Sequence, residues 1–196
     1  MVKTVQELKF ELRKYSDPVN KIHRLIKERK LFQLTKGLYE TDEHVHPFSL
    51  AQSICNPSYI SFESALSYYG LIPERVNVIT SASLGKRKDK IYHNDFGTFT
   101  YTDIPVRAYP YGGRLVELSK NEYFQIATKE KALCDKLYKL PPINNYKELK
   151  SILFDDLRIY EDGLYEFDLK DMELYSNVFH SKNVTILYRF LRRILK

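Results

Sequence analysis

Asn56-Pro57-Ser58-Tyr59-Ile60-Ser61-Phe62-Glu63-Ser64-Ala65-Leu66-Ser67-Tyr68-Tyr69-Gly70-Leu71-Ile72-Pro73 reads as a short strand, a sharp turn and a buried helix. Tyr59 and Ile60 are extended, and Ser61 is a good N-cap whose hydroxyl can take an orphan backbone N–H of the next turn. Glu63 falls in the first turn, where the helix dipole favours a carboxylate. Phe62, Ala65, Leu66 and Tyr69 recur at helical spacing, so one face of this helix is apolar and has to pack on something. Gly70 ends the helix, and Pro73 follows.

Downstream, the β-branched run at 76–80 predicts a buried strand, and a basic turn at 85–90 carries Lys86, Arg87 and Lys88. Extended segments follow at 90–93, 97–101, 106–109 and 123–126, with a helix over 129–139. An antiparallel sheet with the helices 61–69 and 129–139 against it makes an α+β body. After Pro141-Pro142, segments 146–157 and 169–179 read as peripheral helices. The last, 184–195, has Leu187, Leu191, Ile194 and Leu195 on one side and Arg189, Arg192, Arg193 and Lys196 on others. That cationic side is either solvated surface or a contact to DNA or an acidic partner.

Upstream, a helix over 48–54 leads into the opening stretch, and the polar segment 41–47 ends in proline and marks a linker. Before it, Val5, Leu8 and Leu12 predict a first amphipathic helix. Asp17 caps a second, with Pro18 at its first position, which buries Val19, Ile22, Leu25 and Ile26. Its other side carries Asn20, Lys21, Arg24 and Lys27, with His23 beside them. Two short extended runs then flank Thr35-Lys36, and Gly37 can take the positive φ of a tight hairpin. Helix, turn, helix and a two-stranded wing is the order of a winged helix-turn-helix, which reads the major groove with its second helix. Only two helices precede the wing where such modules usually have three. The expected division is therefore 1–42, a winged helix-turn-helix DNA-binding unit, and 43–196, the α+β body.

The 196 residues, 43% apolar and 14% aromatic, suffice for a packed core. No stretch is long and apolar enough for a membrane span, and the first residues have no signal-peptide core, so the cytoplasm is the expected location. Cys55 and Cys134 read as buried free thiols. The net charge of +6 is unevenly spread. Residues 1–40 hold ten Lys or Arg against five Asp or Glu, while 148–173 hold nine acids against three bases. Such segregation suits a basic face for nucleic acid and an acidic face turned away or toward a protein, with solvated surface as the plain alternative.

Three motifs in order resemble the AbiEi family, the antitoxins and autoregulators of bacterial type IV toxin-antitoxin and phage-abortive systems. They are Gly37-Leu38-Tyr39, the Tyr59-Ile60-Ser61 to Gly70-Leu71 run, and Ala127-Thr128-Lys129-Glu130-Lys131-Ala132-Leu133-Cys134-Asp135. The resemblance implies a non-catalytic regulator that represses its own promoter and counteracts a nucleotidyltransferase-like toxin, with cooperative self-association on duplex DNA. The expected contacts are Asn20, Lys21, Arg24, Lys27 and Lys36. Secondary basic contacts are Lys86, Arg87, Lys88, Arg189, Arg192 and Arg193.

No phosphate loop, zinc-spaced Cys/His set or nucleophile elbow occurs, so neither a cofactor nor a metal is expected. His44 and His46 beside Asp42 and Glu43 lack a second pair of ligands. Glu63, Glu130 and Asp135 lie beside apolar positions. They either cap and pair, Asp135 with Lys131 one turn earlier, or serve a metal-dependent nuclease or nucleotide-acting enzyme. In the capping case their amides should cost about 0.3 to 1 kcal/mol each.

Overall fold

The computed structural model describes residues 1–74, 76–119 and 122–195. Thr4 starts the first helix: its hydroxyl accepts from the Glu7 N–H while the Glu7 carboxylate accepts from the Thr4 N–H, a reciprocal cap. Strand β1 (Val2–Thr4) leads into α1 (Val5–Glu11), then α2 (Pro18–Lys27), β2 (Phe32–Thr35) and β3 (Leu38–Glu40). The strands form an antiparallel sheet in the order β1-β3-β2, with Lys36-Gly37 as the loop and Gly37 at φ +80°. β1 was not legible, being three residues long with its last doubling as the helix cap.

Leu8, Ile22, Leu31 and Tyr39 make a small core, with Val5, Leu12, Leu25 and Ile26 packed around it. Val19, expected inside, is 42% exposed. This unit offers α2 a single neighbouring helix, and its first turn is left uncovered. Leu34 belongs instead to the larger core, its carbonyl accepts from Asn94 Nδ2 at 3.1 Å, and Phe32 meets Phe96 edge-on at 5.7 Å.

The larger part comprises α3 (Pro47–Ile54), β4 (Ser58–Ile60), α4 (Phe62–Tyr68), β5 (Val78–Ser83), β6 (Lys90–Asn94), β7 (Gly97–Asp103), β8 (Gly113–Ser119), β9 (Glu122–Ala127) and α5 (Lys129–Tyr138). Its sheet runs β6-β7-β5-β4-β9-β8 and is mixed rather than antiparallel, because β4 pairs with β9 and β5 with β7 in parallel. Hairpins such as β6/β7 announce themselves locally; parallel pairs between strands far apart in the chain do not. The segment 106–109, expected as a strand, is a turn in which the Pro105 carbonyl accepts from the Ala108 and Tyr109 N–H groups. β8, which escaped the pattern, is an edge strand exposed on both faces, so its residues show no alternation.

One sheet face, bearing Ile60, carries α3: the Tyr101 hydroxyl donates to the Ala51 carbonyl at 2.6 Å, and Phe48 packs on Phe124. The other, bearing Tyr59 and Ser61, carries α5. Outside α5 lie α6 (Tyr146–Lys150), a π-helical turn (Ser151–Asp156), α7 (Glu161–Leu164), α8 (Leu169–Val178) and α9 (Lys182–Ile194). These outer helices bury more than a peripheral layer needs, including Leu149, Leu153, Met172, Tyr175, Leu187 and Leu191. Asn183 fastens α9 to the end of α5, donating to the Leu137, Leu140 and Pro141 carbonyls and accepting from the Ile143 N–H. Both cysteines are buried and free, and burial pushes both thiols up.

Thr128 caps α5, its buried hydroxyl accepting from the Lys131 N–H at 3.3 Å. Thr128→Ala should cost about 1 kcal/mol in chemical denaturation, whereas Thr128→Ser, which keeps the cap, should cost less.

Candidate nucleic-acid interface

The outward side of α2 is fixed by its first turn. Asp17 accepts from the Asn20 N–H at 3.0 Å and from the Asn20 side chain at 2.6 Å, so the Asn20 amide is held in place at the head of the helix. That cap holds the Asp17 carboxyl below its usual range, chiefly through the Asn20 backbone N–H. With Ile22 turned into the small core, Asn20, His23, Arg24 and Lys27 line a shallow concavity of about 460 Å³. Lys21 is turned aside, its ammonium 5.2 Å from the centre of the Tyr15 ring. Lys36 is exposed in the β2–β3 loop.

Among the described residues Lys21, Arg24, Lys27 and Lys36 form no ion pair, while Lys3 and Lys30 nearby are paired with Glu11 and Glu28. Helical spacing places Asn20, His23, Arg24 and Lys27 on one side, three or four residues apart. His23 joins the set on geometry equal to that of its neighbours.

The secondary basic residues do not converge on this face. The Lys86 ammonium is committed to the Asn56 carbonyl at 2.6 Å, the backbone N–H of Arg87 donates to Asp103 at 2.7 Å, and Arg87 and Lys88 are exposed in the same turn. Arg189, Arg192 and Arg193 sit on α9, across the body sheet from the small unit. Lys196 lies outside the described residues.

The three acids do not form a common site. Asp135, fully buried, takes Lys131 Nζ at 2.5 Å on one oxygen and the Ser61 and Tyr59 hydroxyls at 2.7 and 3.1 Å on the other. Lys131 also donates to the Tyr59 hydroxyl at 2.7 Å. Burial pushes the Asp135 carboxyl up, opposed mainly by Lys131, and burial likewise raises the Tyr59 hydroxyl. Gly112 closes over this network: a Cβ there would lie 2.8 Å from Lys131 Cβ and 2.4 Å from the Tyr175 hydroxyl, and its φ is +72°. Ser61 stands at the N-cap position of α4 but makes no cap bond; its hydroxyl is spent on Asp135.

Glu63 pairs with Lys136 across the helices, not with its own helix end, and Glu130 accepts from the Asp168 N–H at 3.3 Å. Among the described residues no three His, Cys, Asp or Glu are grouped to hold a metal. His46 caps α3, its Nδ1 accepting from the Phe48 N–H, and His44 is exposed beside Glu43.

No helix among the described residues is long and apolar enough to cross a membrane. Compared with known proteins, the sequence matches no protein-family model and no curated protein.

Proposed function

We propose that the chain is a DNA-binding regulator of its own promoter, acting as the antitoxin of a type IV pair whose toxin is nucleotidyltransferase-like. The observation that carries the DNA-binding part is the outward side of α2, where Asn20, His23, Arg24 and Lys27 border one concavity and, among the described residues, Arg24 and Lys27 form no ion pair. Helices α1 and α2 followed by the β2–β3 hairpin, with Lys36 in its loop, supply the parts a winged reader uses: a helix for the groove and a loop for the backbone. Asn20 and Arg24 are the side chains able to read base edges; Lys27 and Lys36 suit phosphates. The toxin partner rests on the three resembling motifs alone. A nuclease reading has less support, since Glu63, Glu130 and Asp135 are each engaged with a separate partner.

In cells carrying a reporter behind the chain's own upstream DNA, wild type should repress, and the Lys21→Ala/Arg24→Ala/Lys27→Ala variant should lose repression at least tenfold at equal protein level. Repression that survives in the triple variant would reject the assignment of α2. Co-expression with the neighbouring toxin-like gene tests the second half: wild type should restore growth, and failure to do so removes the antitoxin reading while leaving the regulator intact.

A further inference from the structure

α9 turns Val184, Leu187, Phe190 and Leu191 into the body and presents Arg189, Arg192 and Arg193 to solvent. With Tyr146 at the start of α6 these three arginines line a concavity of about 370 Å³. The Arg193 guanidinium lies 5.2 Å from the centre of the Tyr146 ring, and that of Arg192 lies 5.6 Å from Tyr188. A guanidinium beside an aromatic ring gains cation–π attraction and can still donate its N–H groups to a planar or tetrahedral anion. Among the described residues none of the three takes part in an ion pair.

We propose that this face is a second nucleic-acid site, binding backbone phosphates independently of α2, so that one chain can hold two separate segments of duplex. The separation follows from the layers. The small unit joins the body through Leu34, Phe32 and Phe96 and lies on the side of α3, whereas α9 packs on α5 beyond the opposite sheet face.

The surroundings favour a phosphate backbone over a protein or a lipid surface. Protein interfaces centre on apolar and aromatic anchors, and membrane-surface helices insert them. Among the described residues, the strongly exposed hydrophobic ones, including Ile91, Val106, Leu115, Tyr160 and Tyr165, are all off α6 and α9. Phosphates ask only for charge and N–H donors, and residues three and four apart on a helix space these at intervals a single strand can meet.

The test uses the full chain, a bead-bound mixed-sequence duplex and a second, fluorescent duplex of the same sequence. Wild type should recruit the fluorescent duplex to the beads. The Arg189→Gln/Arg192→Gln/Arg193→Gln variant should keep binding to a single duplex but lose recruitment at least tenfold, and the corresponding Arg→Lys triple should recover part of it. The α2 triple variant should retain a weak binding whose log–log salt slope is about 0.9 per phosphate held.

Recruitment by the Gln variant at the wild-type level, or no residual binding by the α2 triple, overturns the proposal. Salt-sensitive self-association without DNA, lost in the Gln variant, overturns it in favour of the acidic 148–173 face of a second copy. The two-segment proposal rests on the reading of α2: unchanged binding by the α2 triple, with all binding lost in the Gln variant, would overturn both and leave α9 as the single DNA-binding face.

Discussion

Lys131→Met is expected to destabilise the chain by about 3 to 5 kcal/mol, because it leaves the Asp135 carboxylate buried with two hydroxyls and no cation. Both side chains are fully inaccessible to solvent, so no water can replace the lost partner. Asp135→Asn should be nearly as costly for the mirror reason, an ammonium left facing a neutral amide. That corrects the cost of about 0.3 to 1 kcal/mol suited to an exposed pair. Exchanging both ends, as Lys131→Met/Asp135→Leu, removes both charges together and should recover most of the loss. Urea denaturation of the four proteins completes the cycle. A loss under about 1 kcal/mol for Lys131→Met would mean that water reaches the pair.

Leu66→Ala should cost roughly 2 to 5 kcal/mol. Leu66 is 1% exposed and lies in the main core on α4, between the sheet and α5. The helix holding it ends on a pair of bonds, Gly70 N–H to the Ser67 carbonyl and Leu71 N–H to the Leu66 carbonyl, so the backbone cannot collapse easily into the space left. Leu66→Met, which nearly conserves volume, should cost less than about 1.5 kcal/mol. Equal thermal stability of wild type and Leu66→Ala would contradict the burial of this face.

The opening stretch was legible where its pattern was local. The strand, the helix, its stop at Gly70 and the burial of Phe62, Ala65 and Leu66 follow from spacing and end residues. Ser61 shows where that reasoning stops. Its residue type suits a cap, yet its hydroxyl bonds Asp135, a residue with no local relation to it, and Glu63 likewise pairs with Lys136 on another helix. The Lys131–Asp135 pair was visible as a one-turn spacing, but its burial was not, since charged residues ordinarily mark the exposed side of a helix. The signal lay in its neighbours: Ala132, Leu133, Cys134 and Leu137 leave α5 little polar surface.

The outward side of α2 was legible as a cationic helix face, and its membership was misjudged in detail. Opposite signs of periodicity separated Ile22 from Arg24 and Lys27, but not Lys21, which leans on Tyr15, from His23, which faces the concavity. The α9 arginines could be found in the sequence, while their place across the sheet depends on parallel strand pairs that no local pattern reports.

The most direct measurement is a salt titration of affinity for a duplex taken from the chain's own upstream DNA, read by fluorescence anisotropy against a scrambled duplex of equal length. Wild type should prefer the upstream sequence, and the Lys21→Ala/Arg24→Ala/Lys27→Ala variant, folded by circular dichroism, should lose that preference and show a log–log salt slope shallower by about 0.9 for each phosphate contact removed. The same affinity, preference and slope in wild type and variant would contradict DNA reading by α2.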